Sequence, residues 1–285
     1  MPHSTAAPIT GKLLAFALLA GLSCGATGIT PEPPPPPPAP PPPVPISLRI
    51  LFVGNSLTYY NDLPATVGAI ATSAGDALAI SNAVGANLAL IDHLNGGSNV
   101  VQLMRDSSWD YVVLQQGPTP SGICRDSLQL WTRMFDTTIR AAHGKAALFM
   151  TWPATTNTAS WDDVRLSFQL AAQGVGGVFL PAGEAWRILL AEHPDMEIYG
   201  KDGYHPSPMG SFLAALEIYE RLSGRDARTL PALAFQAGRP MQMSADTIRM
   251  LQQAAHSANA TFPAFGNVPT PTVNTDYRPP GSTTC

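Results

Sequence analysis

The chain predicts an α/β domain, a three-layer doubly wound fold around a parallel sheet of five strands. Three observations carry this. Five short runs, Leu48–Val53, Ala77–Asn82, Tyr111–Gln115, Ala146–Thr151 and Val175–Leu180, are apolar on both faces, as strands covered by helices must be. Helix-like stretches lie between and after them, at Leu63–Ser73, Ser98–Arg105, Ser127–Ala142, Trp161–Ala172 and Glu184–Glu192. Strand and helix therefore alternate, the pattern of a parallel sheet with crossover helices on both sides.

The elements in chain order give four segments. Residues 1–28 read as an export signal: Lys12, then the ten-residue apolar run Leu13–Leu22, then the small residues Ser23-Cys24-Gly25-Ala26. That run is too short to span a bilayer, which needs about 18–20 apolar residues. Residues 29–46 read as a linker, with twelve prolines in positions 31–45. Proline at that density excludes helix and sheet and favours extended polyproline II, roughly 45 Å at about 3.1 Å per residue. Residues 47–260 hold the α/β domain, which two further helices complete. Ser207–Ser223 has an apolar face through Phe212, Leu213, Leu216 and Tyr219, with Gly224 as its stop. Ala245–Ser257 repeats the pattern through Ile248, Leu251 and Ala255. Residues 261–285, rich in Pro, Thr and Gly, predict an irregular tail held down only if Cys285 pairs.

Composition excludes some functions. Only 13% of the 285 residues are charged, the formal net charge is −4, and no basic run occurs, so no nucleic-acid partner is expected. No Cys/His/carboxylate spacing predicts a metal and no Gly-rich loop predicts a phosphate-bearing cofactor. In an oxidising compartment Cys124 and Cys285 could pair, with two unpaired thiols as the alternative.

Two local patterns could carry chemistry. Val53-Gly54-Asn55-Ser56 directly follows the first strand, where open parallel sheets bind their ligands, and a serine entering a helix there offers a hydroxyl beside backbone N–H groups. An ordinary strand-end turn has the same composition. Asp202-Gly203-Tyr204-His205 places a carboxylate three residues before an imidazole, where it can fix the tautomer and leave the other nitrogen to take a proton. His93 and His193 read as structural or surface residues. Trp109, Trp152 and Trp186 read as core rather than as a sugar platform. Gly21-Leu22-Ser23-Cys24-Gly25 matches a G-x-S-x-G nucleophile elbow but has no strand before it.

Taken together, and in the order Ser, Asp, His, these patterns resemble the SGNH (GDSL-like) hydrolase family over roughly residues 48–258. The family's Gly-Asp-Ser block reads Gly54-Asn55-Ser56, and its Asp-x-x-His block reads Asp202 to His205. The resemblance implies a flavodoxin-like SGNH hydrolase fold and a catalytic triad of Ser56, Asp202 and His205. It also implies an oxyanion hole from the backbone of Ser56 and of Gly85, in Asn82-Ala83-Val84-Gly85. A third donor should come from the asparagine of a Gly-x-Asn block. That block reads Gly117-Pro118-Thr119, so Thr119 or the neighbouring Gln116 would have to serve. The implied reaction is ester hydrolysis, with short acyl groups on a carbohydrate as the favoured substrate. An acyltransferase on the same triad, or a glycan-binding protein on a degenerate scaffold, are the alternatives. Gly21-Leu22-Ser23-Cys24 resembles a bacterial lipobox, with Gly21 where a branched residue is usual. Cys24 would then be lipidated and hold the chain at a membrane, and plain signal cleavage is the other reading. The expected setting is an exported monomer, in the bacterial periplasm, at the outer membrane or on the cell surface.

Overall fold

Strand β1 (Ser47–Gly54) lies inside the sheet with a partner on each edge, and everything from Ile50 to Gly54 is buried. The structure, a computed structural model, describes residues 44–119 and 122–265. β1 pairs in parallel with β2 (Ala77–Val84), Ile50 opposite Ile80, and on its other edge with β3 (Tyr111–Leu114), Ile50 opposite Tyr111. β4 (Lys145–Phe149) and β5 (Val178–Leu180) extend the sheet in the order β2-β1-β3-β4-β5, all parallel. The chain thus leaves β1 in one direction to build β2 and returns past it to build the rest. The carboxyl ends of β1 and β3 therefore flank a topological switch point, where such folds bind ligands.

Nine α-helices occur among the described residues: α1 (Ser56–Tyr59), α2 (Leu63–Ser73), α3 (Leu90–Asp92), α4 (Val100–Asp106), α5 (Gly122–Ala141), α6 (Trp161–Gly174), α7 (Ala182–Glu192), α8 (Pro208–Ser223) and α9 (Ala245–Thr261). They cover both faces of the sheet. α8 packs on α2, α7 and α9, and α5 packs on α6. Apolar burial drives this: Phe52, Val113, Leu148, Phe149 and Phe179 of the strands, and Phe212, Leu213 and Leu251 of the helices, are essentially inaccessible. Among the described residues no helix is long and apolar enough to cross a membrane.

Some boundaries differ from the sequence expectation. The last strand starts at Val178 rather than Val175, because α6 ends on the Val175 N–H bonded to the Ala172 carbonyl and Gly176 turns the chain at φ +60°. The helix expected from Ser98 starts at Val100, since Ser98 is extended and its hydroxyl accepts the Val100 N–H. A hairpin was not expected: β6 (Ala234–Gln236) and β7 (Arg239–Met241) pair antiparallel across Ala237 and Gly238, both at positive φ. The start of the tail is tied to the last strand by the Phe179 N–H on the Ala264 carbonyl at 2.9 Å. The signal segment with Cys24, most of the linker and the tail beyond Phe265 with Cys285 lie outside the described residues.

Candidate active site

Ser56 owes its position to the end of β1. Asn55 caps α1: its Oδ1 accepts the Leu57 N–H at 3.2 Å, and its Nδ2 donates to the Leu88 carbonyl at 3.2 Å. The Asn55 N–H and the Thr58 hydroxyl both donate to Oε1 of buried Gln115, each at 2.8 Å. Gly54 cannot carry a side chain, because a Cβ would overlap that Gln115 oxygen and the Thr58 hydroxyl. Ser56 is then the first residue of α1, and no acceptor among the described residues takes its N–H.

Behind it sits a buried histidine that the sequence reads as structural or surface. His93 Nε2 lies 3.1 Å from the Gly54 carbonyl and Nδ1 lies 2.7 Å from the Ser98 hydroxyl. A carbonyl only accepts, so the proton is on Nε2 and the Ser98 hydroxyl donates to Nδ1. Burial lowers the pKa of His93, which favours this neutral form.

Asp202 and His205 sit on a tight loop. Tyr199 and Pro206 form an isolated bridge at its base, the Gly200 N–H donates to the His205 carbonyl at 2.6 Å, and Gly203 turns the chain at φ +68°. Two buried tryptophans hold the loop and the first turn of α8 from the core. Trp152 donates to the Tyr204 carbonyl at 3.0 Å, Trp186 to the Gly210 carbonyl at 3.1 Å, and their rings stack at 3.5 Å. These indoles, and buried Trp109, are core rather than a binding platform.

The structure brings the three expected side chains together. His205 Nε2 is 3.0 Å from Ser56 Oγ, and His205 Nδ1 is 2.5 Å from Asp202 Oδ2. The other Asp202 oxygen accepts the N–H groups of Tyr204 and His205, both at 3.0 Å. These bonds, that to His205 foremost, hold the Asp202 carboxyl at about 2, so it is ionised at neutral pH. With Nδ1–H donated to this carboxylate, Nε2 is free to accept the serine proton. Two tyrosines that no motif announced frame the imidazole. Tyr60 stacks on its face at 4.1 Å and 11°, and Tyr204 meets it edge-on at 5.1 Å.

Two of the expected oxyanion donors need correction. The Gly85 N–H is already donated to the Gly54 carbonyl at 3.2 Å, continuing the β1–β2 ladder. The Thr119 hydroxyl is donated to the Gly117 carbonyl at 2.7 Å. Gln116 differs from both. Its Oε1 accepts the Leu90 N–H at 3.2 Å, which fixes the amide orientation, and its buried Nε2 has no acceptor among the described residues.

Away from this site Glu220, Asp226 and His256 converge closely enough to suggest a cation. Their atoms are engaged otherwise: His256 Nδ1 contacts Glu220 at 2.9 Å, Glu220 accepts the Ala227 N–H, and Arg228 chelates Asp226. The sequence showed no such spacing because the three lie on separate elements.

A parallel sheet in the order 2-1-3-4-5, with a serine after its first strand facing an Asp-x-x-His loop, defines the class: the chain has the fold and the Ser–His–Asp arrangement of the SGNH/GDSL-like hydrolases. Among solved structures it is similar to a candidate SGNH hydrolase from Slackia heliotrinireducens, at 27% identity and a TM-score of 0.52, over 62% of this chain and 99% of that one. It is also similar in fold to a DUF4886 family protein from Bacteroides uniformis, at 20% identity and a TM-score of 0.59, over 74% of this chain and 94% of that one. No protein-family model and no curated protein matches the chain.

Proposed function

We propose that the chain is a serine esterase that hydrolyses carboxylic esters in two steps, with short acyl groups on carbohydrate as its substrates. The observation that carries this is the continuous hydrogen-bonded line from Asp202 through His205 to Ser56. Ser56 Oγ attacks the ester carbonyl carbon as its proton passes to His205 Nε2, and Asp202 stabilises the imidazolium. The carbonyl oxygen, now negative, takes the unpaired Ser56 N–H at the start of α1. Collapse breaks the bond to the alcohol oxygen, which leaves with the proton from His205. Water then attacks the acyl carbon, gives its proton to His205, and the acid departs as Ser56 Oγ regains that proton.

Export belongs to the same reading. The signal would carry the chain out of the cytoplasm, with Cys24 as the lipid-bearing residue and the proline run as a stand-off from the membrane. Pairing of Cys124 with Cys285 would then tie the tail to α5.

The test is labelling with a fluorophosphonate, alongside hydrolysis of 4-nitrophenyl acetate. The parent protein should label and turn over. Ser56→Ala should lose the label and lower kcat by about 10⁴-fold or more with the fold intact. Equal labelling of both proteins, or of neither, would favour a glycan-binding scaffold instead.

A further inference from the structure

Ser56 and His205 are 149 residues apart in the chain, and a proton can pass between them only while their two segments are held in register. The turn Tyr60-Asn61-Asp62, directly after α1, joins those segments. The Tyr60 N–H donates to the Ser56 carbonyl, and the Tyr60 ring lies on the His205 imidazole at 4.1 Å. Half-buried Asn61 adds direct bonds. Its Nδ2 donates to the Pro206 carbonyl, one residue past His205, at 3.0 Å, and to the Ser211 hydroxyl of α8 at 3.0 Å. Its Oδ1 accepts from Gln236 Nε2 at 3.1 Å, and its carbonyl accepts the Ala237 N–H at 3.0 Å, both in the β6–β7 hairpin. The Pro206 carbonyl can only accept, which fixes the amide with its nitrogen toward the His205 loop.

We propose that Asn61 is a positioning residue, which clamps the His205 loop to the Ser56 segment and so sets the distance over which the proton moves; the proposal rests on the esterase reading above. The backbone supports it. Asn61 and Asp62 are consecutive at φ +55° and +47°, a left-handed region that residues other than glycine rarely adopt. Such a conformation persists only where its surroundings over-determine it. At Asn61 the amide nitrogen, the amide oxygen and the main-chain carbonyl are all engaged.

The residue type fits both demands. Asparagine tolerates a positive φ better than most side chains, and its amide donates twice while accepting at the other end. A turn that merely reversed the chain would need only the first property. Here the nitrogen end holds the loop that carries the base, and the hairpin braces the oxygen end. The 3.0 Å between His205 Nε2 and Ser56 Oγ is within hydrogen-bond reach, and a displacement of about 1 Å can cost about 10²-fold in rate.

The test removes the amide and keeps the backbone. Glycine takes a positive φ without strain, so Asn61→Gly loses the clamp and retains the turn. On 4-nitrophenyl acetate its kcat should fall about ten- to a hundredfold while KM moves less than about threefold. Asn61→Asp has the same shape but no hydrogen for the Pro206 carbonyl at neutral pH, and should show the same split if the glycine variant does not fold. Parent kcat in a folded variant overturns the proposal. A second measurement needs no ester hydrolysis. Ser56→Cys places a thiol against His205 Nε2, where an imidazolium lowers the thiol pKa from its usual value of about 8.5. Alkylation by iodoacetamide is followed against pH in Ser56→Cys and in Ser56→Cys/Asn61→Gly, with the parent protein treated alongside to subtract its native cysteines. Asp202, the charged group bonded to His205, is the same in both. The alkylation midpoint should lie about one unit higher in the double variant, because the imidazole is no longer held against the thiol. Equal midpoints overturn the clamp whatever the kinetics show. A parent protein that hydrolyses no ester sinks the esterase reading alone, and the alkylation series still decides the clamp.

Discussion

The Gly54 carbonyl, one peptide ahead of the nucleophile's own, accepts two donors, the Gly85 N–H at 3.2 Å and His93 Nε2 at 3.1 Å. A carbonyl pinned from two directions leaves the peptide plane before Asn55 little freedom, and Ser56 inherits that rigidity. His93 thus acts on the reaction through position, reaching the nucleophile only by way of the backbone. Its ring is wholly buried, so replacement by an apolar ring leaves both the carbonyl and the Ser98 hydroxyl short of a partner. His93→Phe should cost about 1–3 kcal/mol in urea unfolding. It should also lower kcat on 4-nitrophenyl acetate more than it raises KM, while His93→Gln, which keeps a donor, recovers part of kcat. Equal kcat in Phe and Gln variants of matched stability would show that His93 only fills space.

At the scale of elements, one buried carboxylate joins three of them. Asp76, just before β2, accepts the Ile46 N–H at 2.8 Å ahead of β1, the Tyr219 hydroxyl at 2.5 Å from α8, and Arg225 beyond α8 at 2.5 and 2.8 Å. Arg225 foremost holds the Asp76 carboxyl well below the usual carboxylate range. Asp76→Ala strands the Arg225 charge and two further donors, the Ile46 N–H and the Tyr219 hydroxyl, and should cost roughly 3–5 kcal/mol in urea unfolding without changing the relative activity of the folded fraction. A loss below 1 kcal/mol would mean that water replaces the carboxylate freely. Elements of this kind were only partly legible in the sequence. The five strands and the long helices announce themselves through apolar runs and helical periodicity, which are local. The β6–β7 hairpin does not, because three-residue strands are too short to show a period. Asp202 and His205 are legible for the same local reason, three residues apart on one loop. The stacking of Tyr60 on His205 is not, since it spans two distant segments. Gly85 and Thr119 mislead as donors because a motif position says which residue is present, not where its hydrogen already points.

For the molecule as a whole, one side chain runs against the rest of the core. Glu217, midway along α8 where that helix meets α9, is fully buried and neither of its carboxyl oxygens has a partner among the described residues. Desolvation raises its pKa to about 8; the nearby positive Arg221 opposes the shift and Glu220 adds to it. In the unfolded chain the group returns to its ordinary value of 4.5. Between these values the native state holds a proton that the unfolded state has released, so stability falls as pH rises from about 4.5 to 8 and levels off above. Glu217→Gln keeps the shape and removes the titration. Its advantage over the parent should be small at pH 5 and grow to at least about 1 kcal/mol at pH 8, a gain of roughly 2–4 °C in melting temperature. The check is a series of thermal melts of both proteins from pH 5 to pH 8.5. Melting curves that stay parallel across that range would mean that Glu217 is ionised in the fold, with its charge met by Arg221.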